Sequence, residues 1–267
     1  LSIKLGMIGG GVMGEALLSR LLAQGAYSPS ELLVSEPQLE RRSFLAQQYG
    51  VQVTEDNGAT IAAEVLLLAI KPQVFAAVVV GLAPQLPGRS LVLSILAGTT
   101  LSKLEAAFPG QPVVRAMPNT PATIGAGMTA IAAGTHVQSQ HLERARLIFQ
   151  AVGEVVEVPE SLLDAVTGLS GSGPGYVAIL IEALTDGGVA AGLPRAIAAK
   201  LAMQTVKGTA ELLQTTGMHP AELKDRVTSP GGTTIAGIAQ LERSSFRAAL
   251  IEAVRTATQR SQELGRG

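Results

Sequence analysis

The chain has no cysteine, so disulfides and thiolate metal centres are excluded. Its three histidines, His136, His141 and His219, stand far apart, and no metal site is expected. An excess of charge of one sign is also missing: 20 Lys and Arg against 21 Asp and Glu leave a net charge of −1. The basic residues are scattered, so nothing marks a nucleic-acid partner. Long apolar runs are lacking too. The longest are broken by Glu64, Lys71, Glu182 or Asp186, short of the roughly 20 residues that a membrane span needs. The opening LSIKLGMIGG reads as a strand, not as a basic segment ahead of an apolar one. No signal peptide and a cytoplasmic location are therefore expected. Internal repeats and low-complexity segments are absent from the sequence.

What the chain does have is apolar surface. Hydrophobic residues make up 47% of it, more than one subunit readily covers, which points to an oligomer. Up to about residue 160 strand-like and helix-like segments alternate, and beyond it only helices are expected. The fold class read from this is α/β: an alternating domain over residues 1–160, which the motifs below make a Rossmann-type dinucleotide-binding one by resemblance, followed by an all-helical domain over residues 161–267.

The first domain opens on a β-rich run, residues 3–8, followed by Gly9-Gly10-Gly11-Val12-Met13-Gly14 and an amphipathic segment, residues 15–24. This is G-x-G-x-x-G between strand and helix, the context that gives it meaning. Gly9 permits the tight turn, Gly11 lets backbone approach a pyrophosphate, and Gly14 lets helix and strand pack closely. The helix start then offers free N–H groups and a positive dipole end to phosphates. Glu36, after a second strand at residues 32–35, stands where an acid bonds the ribose 2′-OH of NADH. Ser35, Arg41 and Arg42 offer partners for the 2′-phosphate of NADPH instead, and the sequence leaves both dinucleotides open. Further strands are expected at residues 51–53, 65–70, 90–96, 112–117, 126–133 and 154–158, about eight in all. Ligands of such sheets bind outside the carboxyl ends of the strands, which places Lys71 and Ala97-Gly98 beside the cofactor. The prolines of Pro118-Asn119-Thr120-Pro121 predict a rigid turn without regular hydrogen bonding.

Residues 168–193 join the two halves. A glycine–serine turn is expected first, then a helix apolar all round from Tyr176 to Leu184 except for Glu182. Such a helix is a buried one and needs partners on every side. Glu182, Thr185 and Asp186 predict one hydrated stripe, and Gly187, Gly188 and Gly192 are expected to weaken and end the helix. Further on, Thr228-Ser229-Pro230-Gly231-Gly232-Thr233-Thr234 runs into a helix start, with bare N–H groups suited to an anion.

These stretches together resemble the pyrroline-5-carboxylate reductase family over nearly the whole chain. The resemblance rests on the glycine fingerprint, Ala69-Ile70-Lys71-Pro72-Gln73, Arg115-x-Met117-Pro118-Asn119-Thr120-Pro121 and Thr167-Gly168-Leu169-Ser170-Gly171-Ser172-Gly173-Pro174-x-Tyr176. Asp186-Gly187-Gly188-Val189, Gly192-Leu193-Pro194-Arg195, Leu223-Lys224-Asp225 and Ser229-Pro230-Gly231-Gly232-Thr233-Thr234 extend it. It implies hydride transfer from NADPH or NADH to C5 of 1-pyrroline-5-carboxylate, giving L-proline. It also implies a homodimer with interlocked C-terminal helices, and a ring of such dimers. Implied cofactor contacts are Gly9 through Gly14, Ser35, Asn57, Ala69, Ile70, Lys71, Pro72, Ala97 and Gly98, to which Glu36 is added by its position. The implied substrate loop is Ser229, Gly231, Gly232, Thr233 and Thr234, with the Thr234 hydroxyl nearest the imine nitrogen. Arg226 and Glu36 depart from some relatives. A β-hydroxyacid dehydrogenase is the nearest rival, but its lysine and asparagine positions hold Val177 and Ile181, neither able to take a proton. A dinucleotide-sensing protein without turnover is the rival of another class, and the intact glycine loop with Thr234 counts against it.

Overall fold

The computed structural model describes residues 2–82 and 90–266. Eight strands form one sheet: β1 (Leu5–Ile8), β2 (Leu32–Ser35), β3 (Gln52–Thr54), β4 (Val65–Leu68), β5 (Leu91–Ser94), β6 (Val113–Met117), β7 (Gly127–Ala133) and β8 (Gly153–Glu157). Their order is β3-β2-β1-β4-β5-β6-β7-β8. From β3 across to β6 every pairing is parallel; β7 runs antiparallel to β6, and β8 parallel to β7. The first six strands follow the doubly wound order, whose direction of winding reverses between β1 and β4 and leaves a crevice there.

Helices α1 (Val12–Ala23), α2 (Leu39–Tyr49) and α5 (Ser139–Gln150) share one face of the sheet, and α3 (Phe75–Val79), α4 (Leu101–Ala107) and α6 (Leu163–Val166) the other. Coverage of both faces explains why β1, β2, β4 and β5 are buried at every position and read as unbroken apolar runs. Leu17, Leu18 and Leu21 are at most 1% exposed, each contributing about 1.5–3 kcal/mol by burial. Most element ends fall within a few residues of expectation. Pro72 opens a 3₁₀ turn, Pro72–Val74, before the short α3.

The prolines around Asn119 do not make an irregular turn. Thr120–Ile124 is a 3₁₀ helix with its own hydrogen bonds, Ala122 N–H to Asn119 O at 3.1 Å and Gly125 N–H to Ala122 O at 3.0 Å. Pro121 falls in its first turn, where the missing donor costs nothing.

Contacts divide the chain into two units, Leu1–Ser172 with Thr256–Gly267, and Gly173–Arg255. The second unit holds α7 (Gly173–Ala190), α8 (Arg195–Thr216), α9 (Pro220–Arg226), α10 (Thr233–Arg243) and the first half of α11 (Phe246–Arg266). The end of α11 belongs to the first unit. There the Ser261 hydroxyl, 7% exposed, donates to Asp164 Oδ1 at 2.7 Å.

The joining stretch departs from expectation in three ways. Thr167–Gly171 is a π-helix, not a turn. A Cβ on Gly171 would lie 2.8 Å from Met117 Cε, so the glycine lets this backbone pass close over β6. Next, Gly187 and Gly188 lie inside α7, which ends at Ala190 before Gly192 at φ +99°. A Cβ at Gly188 would stand 3.0 Å from that of Ala198, so close packing of α7 on α8 overrides glycine's low helix propensity. Finally, the polar stripe is only partly hydrated: Glu182 and Asp186 are exposed, but Thr185 is not. Thr185 is 7% exposed and donates to Ile181 O at 2.8 Å, while Asp186 pairs with Arg195. Within one chain α7 is far from covered: Val177, Ile179 and Leu184 are 43%, 65% and 45% exposed.

Candidate dinucleotide and substrate sites

The glycine turn is built for close backbone approach. Gly9 has φ +102°, and a Cβ there would lie 2.5 Å from Ala69 O; one on Gly14 would lie 2.5 Å from Gly9 O. These two glycines are demanded by the fold. Gly11 is different: it is the N-cap of α1, has no side-chain cap, and an added Cβ would meet nothing within 4 Å. The helix start therefore faces open space with its N–H groups bare, a cradle that a side chain would fill. It fits a dinucleotide pyrophosphate. Val12, beside it, is 72% exposed, whereas Met13 is partly buried against the core.

At the end of β2 the expected residues separate into distinct roles. Ser35 is fully buried and donates its hydroxyl to Asn57 Oδ1 at 2.6 Å, while its carbonyl accepts from Gly9 N–H at 2.8 Å. Glu36 turns back onto the glycine turn: Oε2 accepts from Gly10 N–H at 2.9 Å and Oε1 from Gln38 N–H at 3.1 Å. Arg41 donates to Gly10 O at 2.6 Å and pairs with Glu15, which also accepts from the Tyr49 hydroxyl at 2.6 Å. Burial of Glu15 works to raise its pKa, but the Tyr49 and Arg41 hydrogen bonds outweigh it and hold the carboxyl below its ordinary value. Burial and the same carboxylate push the Tyr49 phenol up. Arg42 donates to the carbonyls of Glu36 and Pro37, both at 2.8 Å, and reaches Glu55 at 3.0 Å.

The other carboxyl ends carry the remaining candidates. Ala69 and Ile70, after β4, are half-buried, and Lys71-Pro72 is exposed. Ala97, after β5, is exposed, and Gly98 adopts φ +72°. Gly9, Ser35, Glu36, Ala69 and Ala97 thus follow four neighbouring strands at one edge of the sheet, the edge where the winding reverses. A cavity of about 660 Å³, lined by Lys4, Tyr27, Glu64 and Arg144 among others, lies at the opposite, amino ends and holds none of them. The glycine cradle, unlike that cavity, lies at the carboxyl ends, where sheets of this kind take their ligands.

Two motifs that sequence reading kept apart are tied together. Asn119 Nδ2 donates to both the carbonyl and the hydroxyl of Ser170 at 3.2 Å, and its Oδ1 accepts from Met128 N–H at 2.9 Å. Arg115, 6% exposed, binds Glu160 at 2.9 Å, and Glu160 accepts from Leu101 N–H at 2.6 Å, fixing the start of α4. The sequence signal for these links was the motifs themselves; their partners lie 45 residues or more away.

In the second unit, Gly231 at φ +67° turns the chain into Gly232, the N-cap of α10, which has no side-chain cap. A Cβ on Gly232 would meet Ser229 Oγ and lie 3.1 Å from Ser229 O, so the loop closes tightly at this glycine. Ser229, Gly231 and Thr233 are exposed, and Thr234, in the first turn of α10, is half-buried. Since Gly232 is the cap, Thr234 does not serve as one.

A doubly wound sheet with an open glycine cradle, joined to a helical unit, defines a Rossmann-type dinucleotide-dependent oxidoreductase. The chain belongs to the pyrroline-5-carboxylate reductase family. Residues 160–264 match the family described as pyrroline-5-carboxylate reductase dimerisation, and residues 4–98 match NADP oxidoreductase, coenzyme F420-dependent. It is 61% identical to a pyrroline-5-carboxylate reductase of Synechocystis over 100% of both chains. To the Arabidopsis thaliana enzyme of that name it is 41% identical, over 98% of this chain and 96% of the other. Among solved structures it superposes on a pyrroline-5-carboxylate reductase from Coxiella burnetii with a TM-score of 0.93 at 35% identity, covering 98% of each. A Plasmodium falciparum pyrroline carboxylate reductase solved with NADP bound gives 0.88 at 31% identity, again over 98% of each.

Proposed function

We propose that this protein reduces 1-pyrroline-5-carboxylate to L-proline, the last step of proline biosynthesis. The observation that carries this reading is the 61% identity, end to end, with the Synechocystis enzyme. NAD(P)H, when bound, supplies the hydride for C5 of the imine. The chain's own residues hold and orient. The Gly9–Gly14 turn cradles the dinucleotide phosphates, with the bare N–H groups coming from the start of α1 at Gly11, Glu36 and Asn57 flank its adenosine end, and Ala69 to Pro72 with Ala97 and Gly98 line the way to the nicotinamide. The loop from Ser229 to Thr234 takes the substrate carboxylate on oriented N–H dipoles, without a charged side chain. The Thr234 hydroxyl donates a hydrogen bond to the imine nitrogen as it becomes an amine. A threonine hydroxyl is too weak an acid to be the proton source, so the proton arrives on the substrate or through water. Orientation of the ring supplies much of the rate.

Residues 1–160 work as the dinucleotide domain and 161–267 as the substrate and dimerisation domain. The apolar, exposed faces of α7 support a homodimer with interlocked C-terminal helices, and a ring of dimers extends the same surface logic. Among the described residues no helix is long and apolar enough to cross a membrane. A cytoplasmic location belongs to the same reading, since both dinucleotides circulate there. The β-hydroxyacid dehydrogenase alternative is disfavoured because Val177 and Ile181 of α7 offer no proton acceptor. Oxidation of NADPH and of NADH, assayed with and without pyrroline-5-carboxylate, tests the proposal. Imine-dependent oxidation with L-proline as product is expected; dinucleotide binding without turnover would leave only a sensing role.

A further inference from the structure

We infer that Glu160 is a positioning residue for hydride transfer: it pins the turn at Ala97 and Gly98, against which the nicotinamide rests. The inference rests on the function and the dinucleotide site proposed above. The phosphate cradle follows β1 and the adenosine end is assigned beside β2. The other half of the dinucleotide then runs along the carboxyl ends of β4 and β5, past Ala69 and Ala97. The wall after β5 holds itself weakly. Gly98 has φ +72°, and Thr99 N–H reaches Leu96 O at 3.5 Å, long for a hydrogen bond. What fixes this turn comes from distant parts of the chain.

Glu160 Oε1 accepts from Leu101 N–H, at the first residue of α4, at 2.6 Å, and from Arg115 Nη1, on β6, at 2.9 Å. A carboxylate at a helix start satisfies an orphaned donor and suits the dipole there. The guanidinium of Arg115, a residue 6% exposed, holds that carboxylate in one place. The position of the turn after β5 is thereby set by the neighbouring strand. Glu160 stands on a firm base, since Leu163 in the same segment is fully buried. One helical turn on, Asp164 Oδ1 accepts from the Ser261 hydroxyl at 2.7 Å, and Lys103 Nζ donates to Gly265 O at 3.4 Å. Both contacts hold the last turn of α11, and a Cβ on Gly98 would lie 3.7 Å from the Leu264 carbonyl. The turn is thus backed by two supports, and residues 160–164 carry both. A buried ion pair is a weak source of stability, so the Arg115–Glu160 pair is better explained by the geometry it fixes.

Two variants test this. Glu160→Gln loses the charge; Glu160→Asp keeps a charge beside Arg115 but falls short of Leu101 N–H. Hydrogen exchange at residues 98–101 should be faster in both, with and without dinucleotide, because the turn opens more readily. In a single turnover, protein with reduced dinucleotide already bound is mixed with saturating 1-pyrroline-5-carboxylate, and the nicotinamide absorbance is followed. The rate constant of the decay reports hydride transfer, whereas its amplitude reports the fraction of intact sites. Both variants should decay slower by about tenfold or more, within the roughly 10²-fold that a 1 Å misplacement costs. Dinucleotide affinity should move only a few-fold, since the phosphates are held at the glycine turn. Dinucleotide deuterated at C4 should slow each variant further, marking hydride transfer as the observed step. A wild-type rate constant in the variants, whatever their amplitude or melting temperature, makes Glu160 purely structural and overturns the inference. Unchanged exchange at residues 98–101, or slowing without a deuterium effect, overturns it too. If Glu160→Gln does not fold, Glu160→Asp decides, and failure of both to fold also overturns it. Absence of imine-dependent oxidation in the wild-type protein would instead overturn the proposed function.

Discussion

Gly9 and Gly11 stand two positions apart and answer to different demands. At Gly9, positive φ and the nearby Ala69 carbonyl forbid a side chain, so Gly9→Ala is expected to lower the melting temperature. At Gly11 the space is open, so Gly11→Val should fold normally and lose dinucleotide binding. Isothermal titration with NADH and NADPH, beside a melting curve, checks both; unchanged affinity in folded Gly11→Val would move the dinucleotide elsewhere. Thr234 is the other residue whose role can be isolated. Thr234→Ala is expected to lower kcat/KM by about 10²-fold, the lower range of assistance to proton transfer, with NAD(P)H affinity little changed. Thr234→Ser, which keeps the donor, should retain most activity. A cap is worth about 1 kcal/mol, but Gly232 holds that position, so steady-state kinetics should register the change more than stability does. Full turnover in the alanine form would remove Thr234 from the chemistry. The glycine turn was legible because local pattern determines it, whereas Thr234 is singled out by the resemblance alone. The grip of Glu36 on Gly10 was not legible, because a carboxylate's position after a strand does not reveal which neighbour it faces across 26 residues.

Among the elements, α7 shows where sequence and single-chain structure part. Its all-round apolarity predicts a buried helix, yet Ile179 is 65% exposed in one chain. The apolar face is real, and it lies within residues 160–264, which match the family's dimerisation model. Burying one such side chain is worth about 1.5–3 kcal/mol. Ile179→Glu should therefore shift the protein toward monomer in sedimentation velocity, and an unshifted dimer would place the interface off this face. The π-helix before α7 and the glycines within it were not readable, because Met117, Asn119 and Ala198 shape them through packing from distant segments. Helices α1 and α2 are joined by Glu15, Arg41 and Tyr49. Glu15 is held below its ordinary value when folded, so its contribution is complete above the usual carboxylate range and is lost as pH falls through the lowered pKa. Melting temperature followed on the acid side should decline less steeply in Glu15→Gln than in the wild-type protein. Parallel profiles would show that this tie carries no linkage.

For the whole molecule, the centre of the doubly wound sheet was legible in the apolar runs of β1, β2, β4 and β5, since a strand covered on both faces must be apolar throughout. The return of the C-terminal residues to the first unit was not, since it hangs on single side chains such as Ser261 meeting Asp164. The molecule as a whole serves one transfer, that of hydride to C5 of the imine. It is tested most directly with reduced dinucleotide deuterated at both C4 positions of the nicotinamide, incubated with this protein and 1-pyrroline-5-carboxylate. L-proline carrying one deuterium, at C5, is expected for each dinucleotide oxidised. Unlabelled proline, label at another carbon, or dinucleotide bound but never oxidised would contradict it.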